Sequence, residues 1–159
     1  MNALVVYDSH YGNTERIAQA LADTLCSYGP TTSTRLDPAH PVSFQGIDLL
    51  VIGCPTQGFQ TTPVMTSLLD RIPTAVLRDP AVACFDTRFR GWLWQHSAAV
   101  VMARQLQTKG VKLLVPPESF FVKAMKKEGP LLPGELERAR LWAHKLAESL
   151  QAVHPLLYW

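Results

Sequence analysis

A polar segment near the amino terminus has residue types that bind anions. Asp8-Ser9-His10-Tyr11-Gly12-Asn13-Thr14 lies between an apolar run and a stretch of apolar residues at helical spacing. Backbone N–H groups at the start of a helix carry partial positive charge, and the Ser9 and Thr14 hydroxyls can donate further hydrogen bonds to phosphate oxygens. Gly12 permits a tight turn and a close approach of the backbone. The segment therefore predicts a phosphate site. Because it contains neither G-x-G-x-x-G nor the lysine of a Walker A motif, dinucleotides and nucleoside triphosphates are disfavoured.

Two later segments could complete a site around such a phosphate. Residues 53–62 follow the strongest apolar run of the chain, and residues 86–96 follow another. The later segment contains two cations, Arg88 and Arg90, which could stabilise negative charge on a ligand. Its aromatic residues, which suit either a ligand site or a packed interface, are Phe89, Trp92 and Trp94. No catalytic residue is identifiable from these segments.

The order of apolar patterns predicts how these segments come together. Strand-like runs alternate with amphipathic stretches, which is typical of a parallel sheet covered by helices on both faces. The patterns predict strands at 3–7, 31–36, 49–52, 81–85 and 111–115, with 119–122 extending the last layer, and helices at about 14–28, 63–72, 97–110 and 135–150. We therefore predict an α/β doubly wound fold with a five-stranded parallel sheet in the order 2-1-3-4-5. Its ligand site is expected beyond the carboxyl ends of the first and third strands.

Composition and charge limit the remaining possibilities. A chain of 159 residues with 47% hydrophobic and 18% charged residues suits a single globular domain, residues 1–159. A net charge of +2 gives little support for nucleic acid binding, and we interpret the cluster Lys123, Lys126 and Lys127 as a solvated loop. Three separated cysteines indicate neither a disulfide framework nor a metal site. The amino terminus lacks signal-peptide features and no apolar run is long enough to span a membrane, so we expect a cytoplasmic protein.

The first segment resembles part of a known family. Ser9-His10-Tyr11-Gly12-Asn13-Thr14, placed between a strand and a helix, is similar to the Ser/Thr-x-Thr-Gly-x-Thr loop with which flavodoxins wrap the phosphate of flavin mononucleotide (FMN). Tyr11 stands where many flavodoxins have threonine, as in the flavodoxin domains of flavodiiron proteins and of some quinone reductases. Gly53-Cys54-Pro55-Thr56 resembles the family's Gly-x-Pro-Thr pattern, which lies along the isoalloxazine ring. Residues 86–96 depart from the family, which usually has acidic and glycine-rich residues with a stacking tyrosine there.

The resemblance implies a flavodoxin-like protein that binds FMN and acts in electron transfer. It implies that the first segment holds the phosphate, that the second lies along one side of the ring with Phe59 as its neighbour, and that the third meets the ring edge. The cofactor-binding residues it implies are Ser9, His10, Tyr11, Gly12, Asn13, Thr14, Pro55, Thr56, Gln57, Gly58, Phe59, Thr87, Arg88 and Phe89.

Three functions remain open on the sequence. The first is an electron carrier that exchanges electrons with a redox partner protein or a small-molecule acceptor, alone or as a homodimer. The second is an FMN-dependent oxidoreductase of the quinone or protoporphyrinogen type, and the third is a flavodoxin-shaped binding module that has lost FMN. Flavodoxin carriers are typically strongly acidic, whereas this chain has a net charge of +2, so the chain departs from the usual carrier in its charge.

Overall fold

The computed structural model of the chain describes residues 1–91, 96–123 and 129–154. Strands and helices alternate through these ranges, except that β3 follows β2 without a helix between them. The elements are, in chain order, β1 (Ala3–Tyr7), α1 (Asn13–Leu25), β2 (Thr31–Arg35), β3 (Leu49–Pro55), α2 (Pro63–Arg71), β4 (Ala81–Phe89), α3 (Ala98–Thr108), β5 (Glu118–Val122) and α4 (Glu135–Val153). No helix in the described part of the chain combines the length and apolarity that crossing a membrane requires.

The described strands form one parallel sheet in the order β2-β1-β3-β4-β5, which confirms the predicted topology. Successive side chains point to opposite faces of a strand, so each buried strand supplies two cores. Val5 and Val51 pack with α1 and α4 on one face, whereas Val6 and Ile52 pack with α2 and α3 on the other. Burial on both faces explains why β1 and β3 are almost uniformly apolar.

Local capping signals set where the helices begin. Thr62 precedes α2, where its hydroxyl accepts a hydrogen bond from Met65 N at 3.4 Å, and Pro63 occupies the first turn as predicted. Ser97 precedes α3 and accepts from Val100 N at 3.4 Å. Because each helix follows a parallel strand, these N-termini lie at the carboxyl edge of the sheet, where the ligand site is expected.

β3 and β4 are longer than the sequence predicts. β3 continues to Pro55 and β4 to Phe89, because the two strands stay paired through Pro55 and Thr87. The predicted boundaries at residues 52 and 85 were therefore wrong, and residues 86–89 belong to a strand. Gly53 is paired with Phe85 and leaves space for its ring, since a Cβ added to Gly53 would stand 2.1 Å from that ring.

The fifth strand also differs from the prediction. We expected residues 111–115 as the strand, with 119–122 extending its layer, but only the second segment is regular strand, and the first makes one isolated bridge, between Leu113 and Val82. The regular ladder with β4 forms instead at β5, where Glu118 pairs with Phe85 and Val122 with Phe89. Prolines lack the N–H that a ladder needs, so the pair at residues 116–117 interrupts the edge and moves the strand toward the carboxyl end of the sheet.

Candidate functional site

The loop between β1 and α1 has the geometry of an anion site. Gly12 precedes the helix in a left-handed conformation, with φ of 86°, and as a glycine it has no side chain that could cap the helix. Ser9 Oγ accepts hydrogen bonds from Gly12 N at 3.2 Å and from Glu15 N at 3.4 Å, which closes the loop on itself. Thr14 is buried, and its Oγ1 lies 2.6 Å from Thr87 Oγ1. Of the first N–H groups of α1, that of Glu15 donates to Ser9 Oγ, whereas those of Asn13 and Thr14 have no intrahelical acceptor and are available to a ligand.

Surrounding side chains fix this loop from three directions. The buried Asp8 carboxylate accepts a hydrogen bond from Ser9 N at 2.8 Å, and the Arg35 guanidinium donates to Ser9 O. Asn13 Nδ2 donates to Gly129 O at 2.6 Å, which ties the loop to the segment after β5. The loop is therefore preorganised by protein contacts, and among the described residues no acceptor is found for the N–H groups of Asn13 and Thr14.

Two adjoining clefts lie beside the loop, within the size range of small-molecule sites. The first has a volume of about 340 Å³, and the second, of about 360 Å³, shares Thr56, Arg88 and Phe89 with it. All of the cofactor-binding residues predicted from the sequence line the first cleft except Ser9, Gly12, Gly58 and Phe59. Gly58 and Phe59 line the second, while Ser9 and Gly12 shape the loop from behind. The predicted residues therefore come together around one continuous depression.

The turn after β3 places an aromatic ring at the mouth of the clefts. Gln57 and Gln60 exchange both backbone hydrogen bonds, at 3.0 and 2.9 Å, around a two-residue tip. That tip needs positive φ at both positions, and Gly58 and Phe59 have φ of 52° and 64°. The left-handed conformation of Phe59 is energetically unfavourable for a bulky residue, and Phe59 remains 45% exposed. The backbone thus presents Phe59 to the cleft.

A buried carboxyl lies beneath the opposite wall. Asp86 is fully buried, and its Oδ2 accepts hydrogen bonds from Thr56 Oγ1 at 3.1 Å and from Ala99 N at 2.9 Å. Among the described residues, its Oδ1 has no hydrogen-bond partner, and Arg88 Nε lies 3.9 Å from it. Burial raises the pKa of the Asp86 carboxyl, and the hydrogen bonds and Arg88 oppose that shift. Asp86 therefore links β4, the turn after β3 and the start of α3 directly below the clefts.

Two guanidinium groups share one aromatic ring on this wall. The Cζ atoms of Arg88 and Arg90 lie 5.1 and 5.0 Å from the centre of the Phe121 ring. Arg88 Nε also donates to Ser119 Oγ at 3.0 Å. Cation–π contacts of this kind hold a guanidinium in place without neutralising it. The wall therefore carries fixed positive charge, with the half-exposed Phe89 beside it.

Sequence reasoning missed one side of the first cleft. Val122, Lys123 and Gly129, at and beyond the end of β5, line it together with the predicted residues. We interpreted Lys123 as part of a solvated loop, and Asp86 received no role. The rule that ligands bind beyond the carboxyl ends of the strands could have found this side, had β5 been placed correctly. Trp92, Trp94, Lys126 and Lys127 lie outside the described residues.

Comparison with known proteins identifies a related family. The family model described as flavodoxin matches residues 5–117. The chain is also similar to a flavodoxin from the domain Archaea, with a TM-score of 0.75 and 19% identity over 95% of this chain and 99% of that one. It is similar as well to a flavodoxin, WrbA-like protein from Agrobacterium tumefaciens, with a TM-score of 0.74 and 21% identity over 95% of this chain and 98% of that one. At these identities the solved structures support the fold.

A longer protein also contains this fold. The rubredoxin oxygen:oxidoreductase of Desulfovibrio gigas is similar with a TM-score of 0.70 and 18% identity, over 95% of this chain but only 36% of that one. The chain therefore spans about a third of that relative and nearly the whole length of the two flavodoxins.

Proposed function

This chain belongs to the flavodoxin family, and from that premise we propose that it is an electron-transfer protein whose FMN lies in the depression beside α1. FMN is the cofactor of this family. The observation that carries the proposal is the start of α1, where Asn13 and Thr14, whose N–H groups have no intrahelical acceptor, line a cleft whose other walls are aromatic and cationic. When bound, FMN supplies a ring that takes up and releases one or two electrons.

The donor set of the loop fits a phosphate monoester. N–H groups at a helix start and uncharged hydroxyls can surround three phosphate oxygens without a fixed counter-charge. In the pair Thr14 and Thr87 either hydroxyl can donate. If Thr87 donates to Thr14, the Thr14 proton is free to point at the ligand.

The remaining residues suit a flat, largely apolar ring. Pro55, Thr56 and Gln57 supply one wall of the first cleft, and Thr87, Arg88 and Phe89 supply another. On this proposal, apolar and aromatic groups exclude water from the ring, and Arg88 favours negative charge at its edge. The chain's own contribution is therefore binding, orientation and electrostatics.

The visible spectrum of the purified protein tests the proposal directly. We expect absorbance at about 450 nm, either as isolated or after FMN is added, and release of FMN on denaturation. Release of FAD would contradict the phosphate-loop assignment, and a colourless protein that FMN does not saturate would favour a binding module without flavin. Stepwise reduction followed by reoxidation with a one-electron dye then tests electron transfer.

The second cleft favours a second candidate, an FMN-dependent oxidoreductase with a small-molecule substrate. Its volume of about 360 Å³ and its lining by Phe59, Phe89 and Arg88 would suit a flat substrate beside the ring. Turnover of a quinone with NADH or NADPH distinguishes this candidate. A carrier reduces such acceptors without saturation, whereas an enzyme shows a defined KM that changes when Phe59 is replaced by alanine.

A further inference from the structure

The charged groups that line the two clefts are of one sign. The ionisable side chains among the described lining residues that are charged at neutral pH are Arg88 and Lys123, and His10 is the further basic group. No carboxylate lines either cleft within residues 1–91, 96–123 and 129–154. Arg90 is exposed and lies next to this lining. No ion pair is found between Arg90 and another described residue. The mouth of the site therefore presents cations to the solvent.

The acids nearest to this charge do not line the clefts. Asp8 and Asp86 are both buried, so neither can meet a docking protein. Glu118 and Glu135 share one guanidinium, that of Arg138, at 3.1 and 2.6 Å, so this group keeps one net negative charge. Glu15 is exposed on the first turn of α1, outside the lining of both clefts. In the described part of the chain, the exposed charges that line the clefts are therefore positive, whereas a typical flavodoxin carries an acidic surface.

The same surface has a hydrophobic centre. Tyr11, Phe59 and Phe89 are 51%, 45% and 49% exposed, and all three line the clefts. Aromatic side chains within a polar rim are typical of transient protein interfaces. Arg88 and Arg90 are already held against Phe121, so little side-chain freedom is lost when a carboxylate approaches them.

We propose that this surface docks a redox protein whose electron-transfer face is acidic, with Arg90 and Lys123 as steering charges. The proposal rests on the electron-transfer function proposed above, because it assigns a partner to the same site. Opposite charges raise the rate of encounter and salt screens them, so the sign of the salt dependence reports the sign of the docking surface. The proposal therefore predicts opposite salt effects with acidic and basic partners.

The test compares electron exchange with an acidic plant-type ferredoxin and with basic cytochrome c. We expect the rate with ferredoxin to fall roughly tenfold between about 0.01 and about 1 M salt, and the rate with cytochrome c to rise. R90E and K123E should each weaken the salt dependence with ferredoxin. R78E is the matched control, because it makes the same change of net charge at the exposed Arg78, just before β4 at the amino edge of the sheet.

Two results would overturn the proposal. One is a rate with cytochrome c that falls with added salt. The other is that R78E and R90E weaken the salt dependence of the rate with ferredoxin equally. The visible spectrum, recorded before mixing, separates this failure from failure of the proposed function, which would appear as a protein that does not bind flavin. In that event, binding of fluorescently labelled ferredoxin to the apoprotein still decides the docking proposal, since absence of salt-sensitive binding contradicts it.

Discussion

The two walls of the cleft handle charge in different ways. On the α1 side, the loop of residues 9–14 offers N–H dipoles and hydroxyls. The neighbouring acid, Asp8, accepts a hydrogen bond from Ser9 N. On the β4–β5 side, full charges are held on one ring, with the buried Asp86 below them. Dipoles fixed by the backbone recognise an anion in the same way at any pH. Full charges respond to protonation, to salt and to a partner, so this wall is where the chain is expected to differ from its relatives.

The largest expected effect comes from removing the phosphate that the α1 side should bind. We expect riboflavin, which lacks that phosphate, to bind about 10²- to 10⁴-fold more weakly than FMN, because two hydrogen bonds to a charged group contribute roughly 3–6 kcal/mol. Titration of the apoprotein with each ligand by flavin fluorescence measures the ratio. Equal affinities for riboflavin and FMN would mean that the contacts to the ring, and not the α1 side, supply most of the binding free energy.

A single hydroxyl on the α1 side should carry part of that effect. T14V keeps the shape of Thr14 but removes its hydroxyl, and we expect FMN affinity to fall about 10- to 100-fold, since a hydrogen bond to a charged group contributes roughly 1.5–3 kcal/mol. T24V is the control, because Thr24 lies on the same helix and its hydroxyl donates only to Ala20 O. Riboflavin affinity should change little in T14V. A comparable loss of riboflavin would assign Thr14 to the ring.

The α1 wall was predictable from the sequence because its information is local. The loop residues are contiguous, and Gly12 alone marks where the helix begins. The opposite wall depends on register: Phe121 reaches Arg88 only because β5 starts at Glu118. Residues 111–115 are more apolar than 118–122, so composition favoured the wrong segment, and only the pairing beyond the proline pair decides it. The burial of Asp86 follows from the same unpredicted extension of β4.

A smaller effect, on the reduction potential, is expected from the charge of Arg88 on the β4–β5 side. R88M removes a charge beside the cleft, and we expect the one-electron reduction potential of the holoprotein to become more negative by up to about 60 mV, equivalent to roughly 1.4 kcal/mol. R88K, which retains the charge, should shift it less. Equilibration with a dye of known potential measures both. If R88M leaves the potential unchanged, Arg88 serves Asp86 or a partner, and the salt dependence of electron exchange tests the latter.

The smallest effect on FMN affinity is expected at Asp86, because it lines neither cleft. D86N can keep its amide oxygen at the position of Oδ2, where it accepts from both Ala99 N and Thr56 Oγ1, so FMN affinity should change less than about tenfold. Stability should respond differently. Burial raises the pKa of Asp86 in the folded state, so the folded protein binds this proton more tightly than the unfolded chain.

The resulting pH dependence has a defined sign. The contribution of Asp86 to stability is fully present below the ordinary aspartate pKa, and it is lost as pH rises through the higher pKa of the folded state. D86N removes that titration, so the free energy of unfolding of the variant minus that of the wild type should increase with pH from about 4 upward, within the range where both remain folded. Urea denaturation of the two proteins at a series of pH values measures the difference. A difference independent of pH would mean that Arg88 and the start of α3 fully compensate the buried charge, and that the two walls differ less than their structures indicate.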